Sequence, residues 1–223
     1  MPDLVELLEN AEVFGEFTIA QKQRLASMAF RRVMKRDETL YYQGDLWSKI
    51  LFIARGKLQS VIQSLEGKSY VVFTWEQWDE FWPHSLFDGE PMPSTLGAVQ
   101  ESVIYQWEGE DALRILFENS DAVRALLRRQ IKMIRKRRET IAELAFQPVT
   151  GRLAKLLLEQ VPASENSAQR DLTLDQLASM VASSPEVICR TLYTLQRSGL
   201  LQVTRASITL RDRPALERLA GAE

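Results

Sequence analysis

The sequence LTLDQLASMVASSPEVICRTLYTLQRSGLL, residues 172–201, predicts two short helices on either side of a tight turn. Thr173 and Gln176 have the spacing of a capping box, in which each side chain bonds the backbone N–H of the other residue. A helix can therefore begin after Thr173 and continue to about Val181. Small and polar residues then interrupt the helical pattern: Ala182, Ser183 and Ser184.

The second helix of this pair has signals at both ends. Ser184 is a favourable N-cap residue, Pro185 suits the first helical position, and Gly199 is a common stop residue. The apolar residues of this helix recur at spacings of four and three: Ile188, Leu192 and Leu195. This spacing places them on one face of the helix, and we expect that face to be buried.

The opposite face of the second helix is more polar. It carries Pro185, Glu186, Cys189, Arg190 and Tyr193. In the major groove of B-DNA, arginine pairs with guanine O6 and N7, and glutamate accepts from cytosine N4. A helix of this size fits that groove, so the pattern favours DNA recognition. The alternative is a helical hairpin with a solvated charged face.

A hairpin pattern follows the helix pair. Residues 201–203 and 207–210 alternate apolar and polar side chains, and they flank a short turn, Thr204-Arg205-Ala206. Two such runs joined by a short turn predict an antiparallel pair of strands. The helices and this hairpin together predict a winged helix-turn-helix.

Length and composition are those of an ordinary globular protein: 223 residues, 45% hydrophobic, 26% charged, with a net charge of −2. No signal-peptide pattern and no run of about 18 apolar residues occurs, so we expect a cytoplasmic protein. One cysteine and one histidine are too few for a disulfide, the usual zinc sites or an iron–sulfur cluster. No phosphate-binding loop or metal-ligand spacing occurs, so we do not expect an enzyme.

The N-terminal half changes from a helical pattern to a strand pattern. Residues 1–30 predict helix, with a second capping box at Thr18 and Gln21 and helical spacing that continues to Phe30. Short runs rich in β-branched and aromatic residues then follow, with glycine turns between them, at residues 39–42, 49–53, 57–64, 69–75 and 102–107. Short strands at such regular intervals predict an antiparallel barrel or jelly roll.

A long helix is predicted between the strands and the helix pair. The pattern is helical again from Glu110, and residues 119–121 mark a break. Beyond it, a heptad-like seam, interrupted once by arginine, runs through Leu127, Ile131, Ile134, Arg138, Ile141 and Ala145. Such a seam packs against a partner helix, and the simplest partner is the same helix of a second copy. The alternative is a helix packed on its own barrel.

The order of these parts resembles that of the CRP/FNR family of bacterial transcription regulators, named for the cyclic-AMP receptor protein and the fumarate–nitrate reduction regulator. The most specific matches are PVTGRLA at residues 148–154, which resembles the entry to the family's DNA-binding domain, and SPEVICR at residues 184–190. Turns at Gly44, Gly56 and Gly67 are weaker matches. The resemblance covers nearly the whole chain.

The resemblance implies how the chain contacts DNA. The family reads bases with a glutamate and an arginine four residues later, and Glu186 and Arg190 match those positions; Pro185 resembles the FNR-like and nitric-oxide-responsive branches. The remaining predicted DNA contacts are polar residues on or beside the same helix: Ser183, Ser184, Cys189 and Arg197. Cys189 stands where many members have serine, and we interpret it as a small DNA-facing side chain rather than a redox switch.

Residues 78–98 are the least regular part of the N-terminal half, and long loops of this kind are commonly functional. Members that bind cyclic AMP hold its phosphate with Gly-Glu and a later Arg-Ser or Arg-Thr pair. This chain has Pro83-His84 and Ser94-Thr95 at the corresponding positions, so cyclic AMP is not the expected effector. The predicted effector pocket comprises Phe81, Trp82, His84, Ser94 and Thr95.

His84 leaves haem open as an alternative. The stretch FWPHS at residues 81–85 resembles the part of the carbon-monoxide-sensing haem branch that contributes a haem-ligating histidine, and Met1-Pro2 resembles the start of that branch. Imidazole binds haem iron well. The aromatic residues expected to shield such a macrocycle are Trp78, Phe81, Trp82 and Phe87.

The sequence therefore predicts an α+β chain: an N-terminal antiparallel β-roll like a cyclic-nucleotide-binding jelly roll (1–109), a dimerisation helix region (110–146) and a C-terminal winged helix-turn-helix (147–223). We expect a homodimer that binds a palindromic double-stranded DNA site and responds to an unidentified effector in the N-terminal roll. By resemblance, we also expect it to bind RNA polymerase. The second hypothesis is a regulatory module whose winged helix binds protein. Salt-dependent retention on DNA discriminates the two.

Overall fold

The computed structural model describes residues 3–204 and 206–221, so Met1, Pro2, Ala222, Glu223 and Arg205 of the predicted turn lie outside the described residues. The described chain divides into two compact units, with a boundary after Lys136. The first unit contains most of the chain before this point. The second contains the chain beyond it together with Gln63–Val71. The predicted domain limits at residues 109 and 146 stay a prediction.

The N-terminal helical segment of the first unit is broken rather than continuous. It contains α1 (Leu4–Leu8), a 3-10 turn (Phe14–Glu16) and α2 (Ile19–Met28). Thr18 and Gln21 form the predicted capping box at the start of α2. The prediction of helix to Phe30 is wrong, because Phe30 begins a strand that pairs with a segment far along the chain.

The roll of the first unit is built from β1 (Phe30–Met34), β2 (Thr39–Tyr41), β3 (Lys49–Arg55), β4 (Leu58–Gln63), β5 (Ser69–Trp75), β6 (Glu80–Phe81), β7 (Thr95–Ala98) and β8 (Ser102–Glu108). These strands form two four-stranded sheets, in the orders β1-β8-β3-β6 and β2-β7-β4-β5. The strand pairs with a described register are antiparallel. The predicted antiparallel roll is therefore confirmed.

Residues 78–98 are more regular than predicted. They contain β6, a short helix α3 (Ser85–Asp88) and β7. β6 pairs with β3, and β7 lies between β2 and β4. The prolines and glycines of this stretch do not give a strand pattern in the sequence. The strands form because they pair with strands that lie far along the chain.

Two helices complete the first unit: α4 (Gly109–Phe117) and α5 (Ser120–Phe146), which continues into the second unit. Asn119 lies at the predicted break and caps α5, because its Oδ1 accepts from the backbone N–H groups of Asp121 and Ala122. No helix of the described residues is both long and apolar enough to span a membrane.

The first unit has two hydrophobic cores. One packs the N-terminal helices, α4 and the start of α5 against the roll, around Phe14, Phe52 and Trp107. The other fills the interior of the roll and contains Trp75 and Phe81.

The second unit contains the helices α6 (Val149–Gln160), α7 (Leu174–Met180), α8 (Pro185–Arg197) and α9 (Arg213–Leu219). Its sheet has the order β10-β11-β9, from β9 (Ser167–Gln169), β10 (Leu201–Val203) and β11 (Ser207–Leu210). The predicted winged helix-turn-helix is confirmed, and β9 adds a third strand that was not predicted. The helices and the sheet share one core.

Candidate nucleic-acid interface and effector region

The turn between α7 and α8 contains a residue in an unusual backbone conformation. Ala182 has a φ of 51°, which lies in the left-handed region that residues with a Cβ rarely adopt. The backbone N–H of Ser183 donates to the carbonyl of Ala178 at 2.9 Å and closes the turn. The turn therefore sets the angle between the two helices at the cost of local strain.

Arg152 on α6 holds this turn in place. Its Nε donates to the carbonyl of Val181 (3.0 Å) and its Nη2 to that of Ala182 (3.4 Å). Its Nη1 donates to the carbonyl of Gln147 (2.7 Å). The carbonyls at a helix end have no partner within the helix, so these bonds satisfy groups that would otherwise need water. Arg152 is part of the motif PVTGRLA, but its role at this turn was not predicted; a guanidinium among the apolar residues of α6 was the available signal.

The start, stop and buried face of α8 agree with prediction. The Ser184 Oγ accepts from the backbone N–H of Val187 (3.4 Å), and Pro185 is the first helical residue. Gly199 follows the helix with a φ of 72°. The three apolar residues of the predicted inner face are buried: Ile188, Leu192 and Leu195.

The outer face of α8 presents a carboxylate and a guanidinium one helical turn apart. Glu186, Cys189 and Arg190 are all exposed. A hydrogen bond involving Ser184 lowers the pKa of the Glu186 carboxyl, with a smaller contribution from Arg190. Glu186 is therefore an anion at neutral pH, which is the state that accepts a hydrogen bond from a cytosine amino group.

Arg197 lies at the far end of α8, away from this pair. Its Cζ is 5.8 Å from the ring centre of Tyr193, so the ring restrains the guanidinium along the exposed face. Ser183 and Ser184 lie at the opposite end, beside Glu186. The structure thus brings five of the six predicted contacts together at the start of α8 and places Arg197 apart from them.

Of the five residues of the predicted effector pocket, Ser94 and Thr95 are not among those that line the cavity at His84. Phe81, Trp82 and His84 line a cavity of about 20 Å³, far below the roughly 300–1,000 Å³ of small-molecule sites. Ser94 is buried elsewhere in the roll, and the Thr95 Oγ1 accepts from the backbone N–H of Gln43 at 3.0 Å.

The aromatic residues expected around a haem are separated by the fold. Phe81 belongs to the roll core, whereas Trp82 belongs to the core beneath the N-terminal helices, with Trp78 packed against it. Phe87 is exposed. These positions do not form the apolar shell that a haem at His84 requires. Within residues 3–204 and 206–221, no group of three or more His, Cys, Asp or Glu side chains is placed to hold a metal ion.

The interior of the roll is filled by its own aromatic rings. Trp47, Tyr41, Phe81, Trp75 and Phe73 follow one another, with successive ring centres 5.3, 5.9, 5.2 and 4.4 Å apart. Burial raises the pKa of the Tyr41 hydroxyl, so it stays neutral. The chain has no lysine or arginine at residues 69–113, so this part of the roll supplies no cation for a phosphate.

Glu80 lies at the junction of the roll and the N-terminal helices, fully buried. Its Oε1 accepts from the backbone N–H groups of Val13 (2.6 Å) and Phe14 (3.2 Å), and its Oε2 accepts from the Trp82 indole (2.9 Å). Burial raises the pKa of this carboxyl, and the N–H donors and Arg129 oppose that shift. The role of Glu80 was not predicted, because a single glutamate in the sequence does not reveal donors that lie far along the chain.

Arg129 connects α5 to the same part of the roll. Its Nη2 donates to the Glu80 carbonyl at 2.9 Å and lies 3.3 Å from the Asp79 carboxylate. Its Cζ is 5.9 Å from the centre of the Trp75 ring. The guanidinium side chain is only 11% exposed, so α5 is anchored here by a desolvated cation.

Two family models match the chain. One, described as a cyclic nucleotide-binding domain, matches residues 31–119 and so covers the roll. The other, described as a Crp-like helix-turn-helix domain, matches residues 151–219. A sensor-type roll followed by a winged helix-turn-helix defines a transcription regulator that binds DNA.

Named relatives have the same organisation. A CRP-like cAMP-activated global transcriptional regulator of Mycobacterium tuberculosis is 26% identical over 192 residues, covering 83% of this chain and 85% of that protein. The cAMP-activated global transcriptional regulator Vfr of Pseudomonas aeruginosa is 24% identical over 189 residues, covering 81% and 88%. A Eubacterium rectale crystal structure assigned to the CRP/FNR family has the same fold, with a TM-score of 0.80 at 19% identity and coverage of 96% and 99%. The chain belongs to the CRP/FNR family of transcription regulators.

Proposed function

We propose that this regulator acts as a homodimer and reads a palindromic DNA site with Glu186 and Arg190. The observation that carries the proposal is the exposed carboxylate and guanidinium one turn apart near the start of α8, a helix whose opposite face is buried. Side chains at the start of such a helix reach base edges when it enters the major groove. Glu186 would accept from cytosine, and Arg190 would donate to guanine.

The other predicted contacts position the protein. Ser183, Ser184 and Arg197 would bind phosphates, which fix register without reading sequence, and Cys189 would fill a small space at the DNA surface. These roles follow from their places beside and along α8. For a regulator that activates transcription, RNA polymerase is the further partner that we propose.

The exposed seam of α5 supports the proposed dimer. Leu127, Ile131, Ile134 and Ile141 are 59%, 52%, 50% and 64% exposed. Arg138 and Ala145 continue the same seam and are also exposed. A second copy of α5 would cover these side chains, and two-fold symmetry would place the two α8 helices on half-sites about 34 Å apart.

Cyclic AMP is not the effector that we propose, although the Mycobacterium tuberculosis and Pseudomonas aeruginosa relatives are described as cAMP-activated. The cation that a cyclic phosphate requires is missing from residues 69–113, and aromatic rings fill the roll interior. Both features favour a different effector or none.

Arg190→Ala tests base reading. A preferred site is first selected from random duplexes, and affinities are then measured by fluorescence anisotropy. We expect Arg190→Ala to weaken binding to the selected site by about 10- to 100-fold and to change binding to random DNA little. The matched variant Arg197→Ala should weaken binding to both duplexes alike and reduce the salt slope by about one. Equal losses for Arg190→Ala on both duplexes would remove its base-reading role, and no salt-dependent retention on any DNA would favour the protein-binding module.

Ile134→Glu tests the dimer. A charge in the middle of the seam should convert a dimer into a monomer at micromolar concentration in analytical ultracentrifugation. Phe117→Glu is the matched control, because Phe117 is equally apolar, 68% exposed and on α4 rather than on the seam. A dimer that survives Ile134→Glu unchanged would assign the interface to another surface.

A further inference from the structure

Tyr193 lies on the outward face of α8, although it is not among the six predicted DNA contacts. This face carries a stripe of four residues at spacings of four, three and four: Glu186, Arg190, Tyr193 and Arg197. At 3.6 residues per turn, these spacings keep all four side chains on one side of the helix. The buried apolar residues of α8 lie on the other side. Tyr193 would therefore face the same DNA surface as the two proposed base-reading residues.

The Tyr193 ring is apolar surface that the folded chain leaves in solvent. Tyr193 is 62% exposed, but Tyr42 on the roll is 63% exposed, so exposure alone does not assign a role. Tyr193 differs from Tyr42 because it contacts a cation on the outward stripe of α8. A tyrosine in such a place can contribute its ring to one contact and its hydroxyl to another.

The cation that Tyr193 contacts is Arg197, one helical turn further along. The Arg197 Cζ lies 5.8 Å from the centre of the Tyr193 ring, which is within the range of a cation–π interaction. Among residues 3–204 and 206–221, no carboxylate forms an ion pair with Arg197, so its charge is not neutralised within the described chain. An exposed arginine loses much side-chain entropy when it binds. The ring restrains the guanidinium beforehand and reduces that loss.

Positions along α8 indicate what the two side chains would meet on DNA. Tyr193 lies seven residues beyond Glu186 and Arg197 lies eleven beyond it, which is about 10 and 16 Å along the helix axis. The major groove is about 12 Å wide. A helix that reads bases with Glu186 and Arg190 would therefore bring Tyr193 and Arg197 to the sugar–phosphate wall of the groove.

We propose that Tyr193 and Arg197 form a phosphate clamp on the DNA backbone. In this clamp the Tyr193 hydroxyl donates to a phosphate oxygen, and the Tyr193 ring holds the Arg197 guanidinium against the same stretch of backbone. Tyr193 is then both a DNA contact and a positioning residue for Arg197. The clamp rests on the proposed function, because it requires α8 to lie in the major groove.

The test uses the salt dependence of DNA binding by the full-length protein. Tyrosine is neutral and releases no counterions itself, so a change in salt slope at Tyr193 reports the placement of Arg197. Affinities for the selected and random duplexes are measured by fluorescence anisotropy between about 50 and 200 mM salt. Tyr193→Phe should weaken binding to both duplexes about two- to fivefold and keep the slope, because it loses the hydroxyl and keeps the ring. Tyr193→Ala should weaken both about 5- to 20-fold and lower the slope at least half as much as Arg197→Ala does.

A double variant and a matched control complete the test. The loss for Tyr193→Ala combined with Arg197→Ala should be at least about twofold smaller than the product of the two single losses, because the ring acts partly through the guanidinium. Tyr42→Ala removes an equally exposed tyrosine from the roll and should change neither the affinity nor the salt slope. Far-UV circular dichroism melting verifies that each variant folds.

The clamp is overturned if Tyr193→Ala leaves the affinity or the salt slope unchanged, or if the losses of the double variant simply multiply. A loss confined to the selected duplex would also overturn it, since it would make Tyr193 a base reader. Failure of the proposed function is seen separately, at Arg190. If Arg190→Ala weakens the selected duplex alone while the Tyr193 variants behave as wild type, only the clamp fails. If the wild type binds no DNA, both fail.

Discussion

The roll interior and α8 use the same kinds of side chain in opposite ways. In the roll, Trp75 is 4% exposed. The side chain of Arg129, which reaches the roll from α5, is 11% exposed and donates to the Glu80 carbonyl of β6. On α8, Tyr193 is 62% exposed, and Arg190 extends into solvent. Trp75 and Arg129 are therefore engaged in internal contacts, whereas Tyr193 and Arg190 lie at the surface.

This difference bears on how the protein is regulated. A roll that binds a nucleotide needs an open interior and a cation at the phosphate, and here aromatic rings occupy the interior. The roll strands have cations of their own, such as Lys49 and Arg55, and these pair with Glu108 and Glu101. Arg129 of α5 is bonded to Asp79 and to the Glu80 carbonyl.

The largest expected effect comes from Trp75→Ala, which would empty part of the roll. Loss of a buried indole should lower the free energy of unfolding of the first unit by about 3–5 kcal/mol. Tryptophan fluorescence reports this unit alone, because all five tryptophans precede residue 110. Tyr193→Ala on α8 should change the stability of the second unit, followed by far-UV circular dichroism, by less than about 0.5 kcal/mol. A loss below about 1 kcal/mol for Trp75→Ala would mean that the interior is loosely packed.

Glu80→Gln should have an intermediate effect, of about 1–3 kcal/mol, because an amide cannot accept from all three N–H donors. Burial raises the pKa of Glu80, so the folded state binds more protons than the unfolded state between the unfolded value, about 4.3, and the raised value. The stability contributed by the protonated group is complete below the unfolded pKa and is lost as pH rises through the folded pKa. Fluorescence-monitored urea titrations across this window should show that decline in the wild type and a flatter profile in Glu80→Gln.

The smallest effect is expected at the turn before α8. Ala182→Gly should stabilise the second unit by up to about 1 kcal/mol, since glycine adopts a positive φ without strain and its unfolded-state entropy offsets only part of the gain. Ala178→Gly is the control, because Ala178 is a buried residue inside α7 and should destabilise the unit by about 1 kcal/mol. Far-UV circular dichroism follows both variants. A destabilised Ala182→Gly would mean that Arg152, rather than backbone preference, determines the turn.

Elements with strong local signals were predicted well. The capping boxes at Thr18 and Thr173 form as expected, and α8 begins and ends where Pro185 and Gly199 predict. Each of these signals acts within one or two helical turns, so it is visible in a short window of sequence. The six candidate DNA contacts were also identified from a short window of sequence. They lie on or beside one helix, so their positions on its surface do not depend on a distant partner.

Elements that depend on distant pairing were missed. The strands β6, β7 and β9 are two to four residues long and are held by partners elsewhere in their sheets. Two residues of the predicted effector pocket separate for the same reason, since neighbours in sequence such as Phe81 and Trp82 alternate between two faces and enter different cores.

The amino-acid sequence alone determined the class of the protein, the helix pair and the face of α8 that points outward, because capping, helical periodicity and turn chemistry are local. Only the tertiary structure decided that the roll is filled by its own rings, that Glu80 accepts three N–H groups and that Arg152 holds the strained turn. Those features depend on groups brought together from far along the chain, and their energies come from burial and hydrogen bonds that do not exist until the chain has folded.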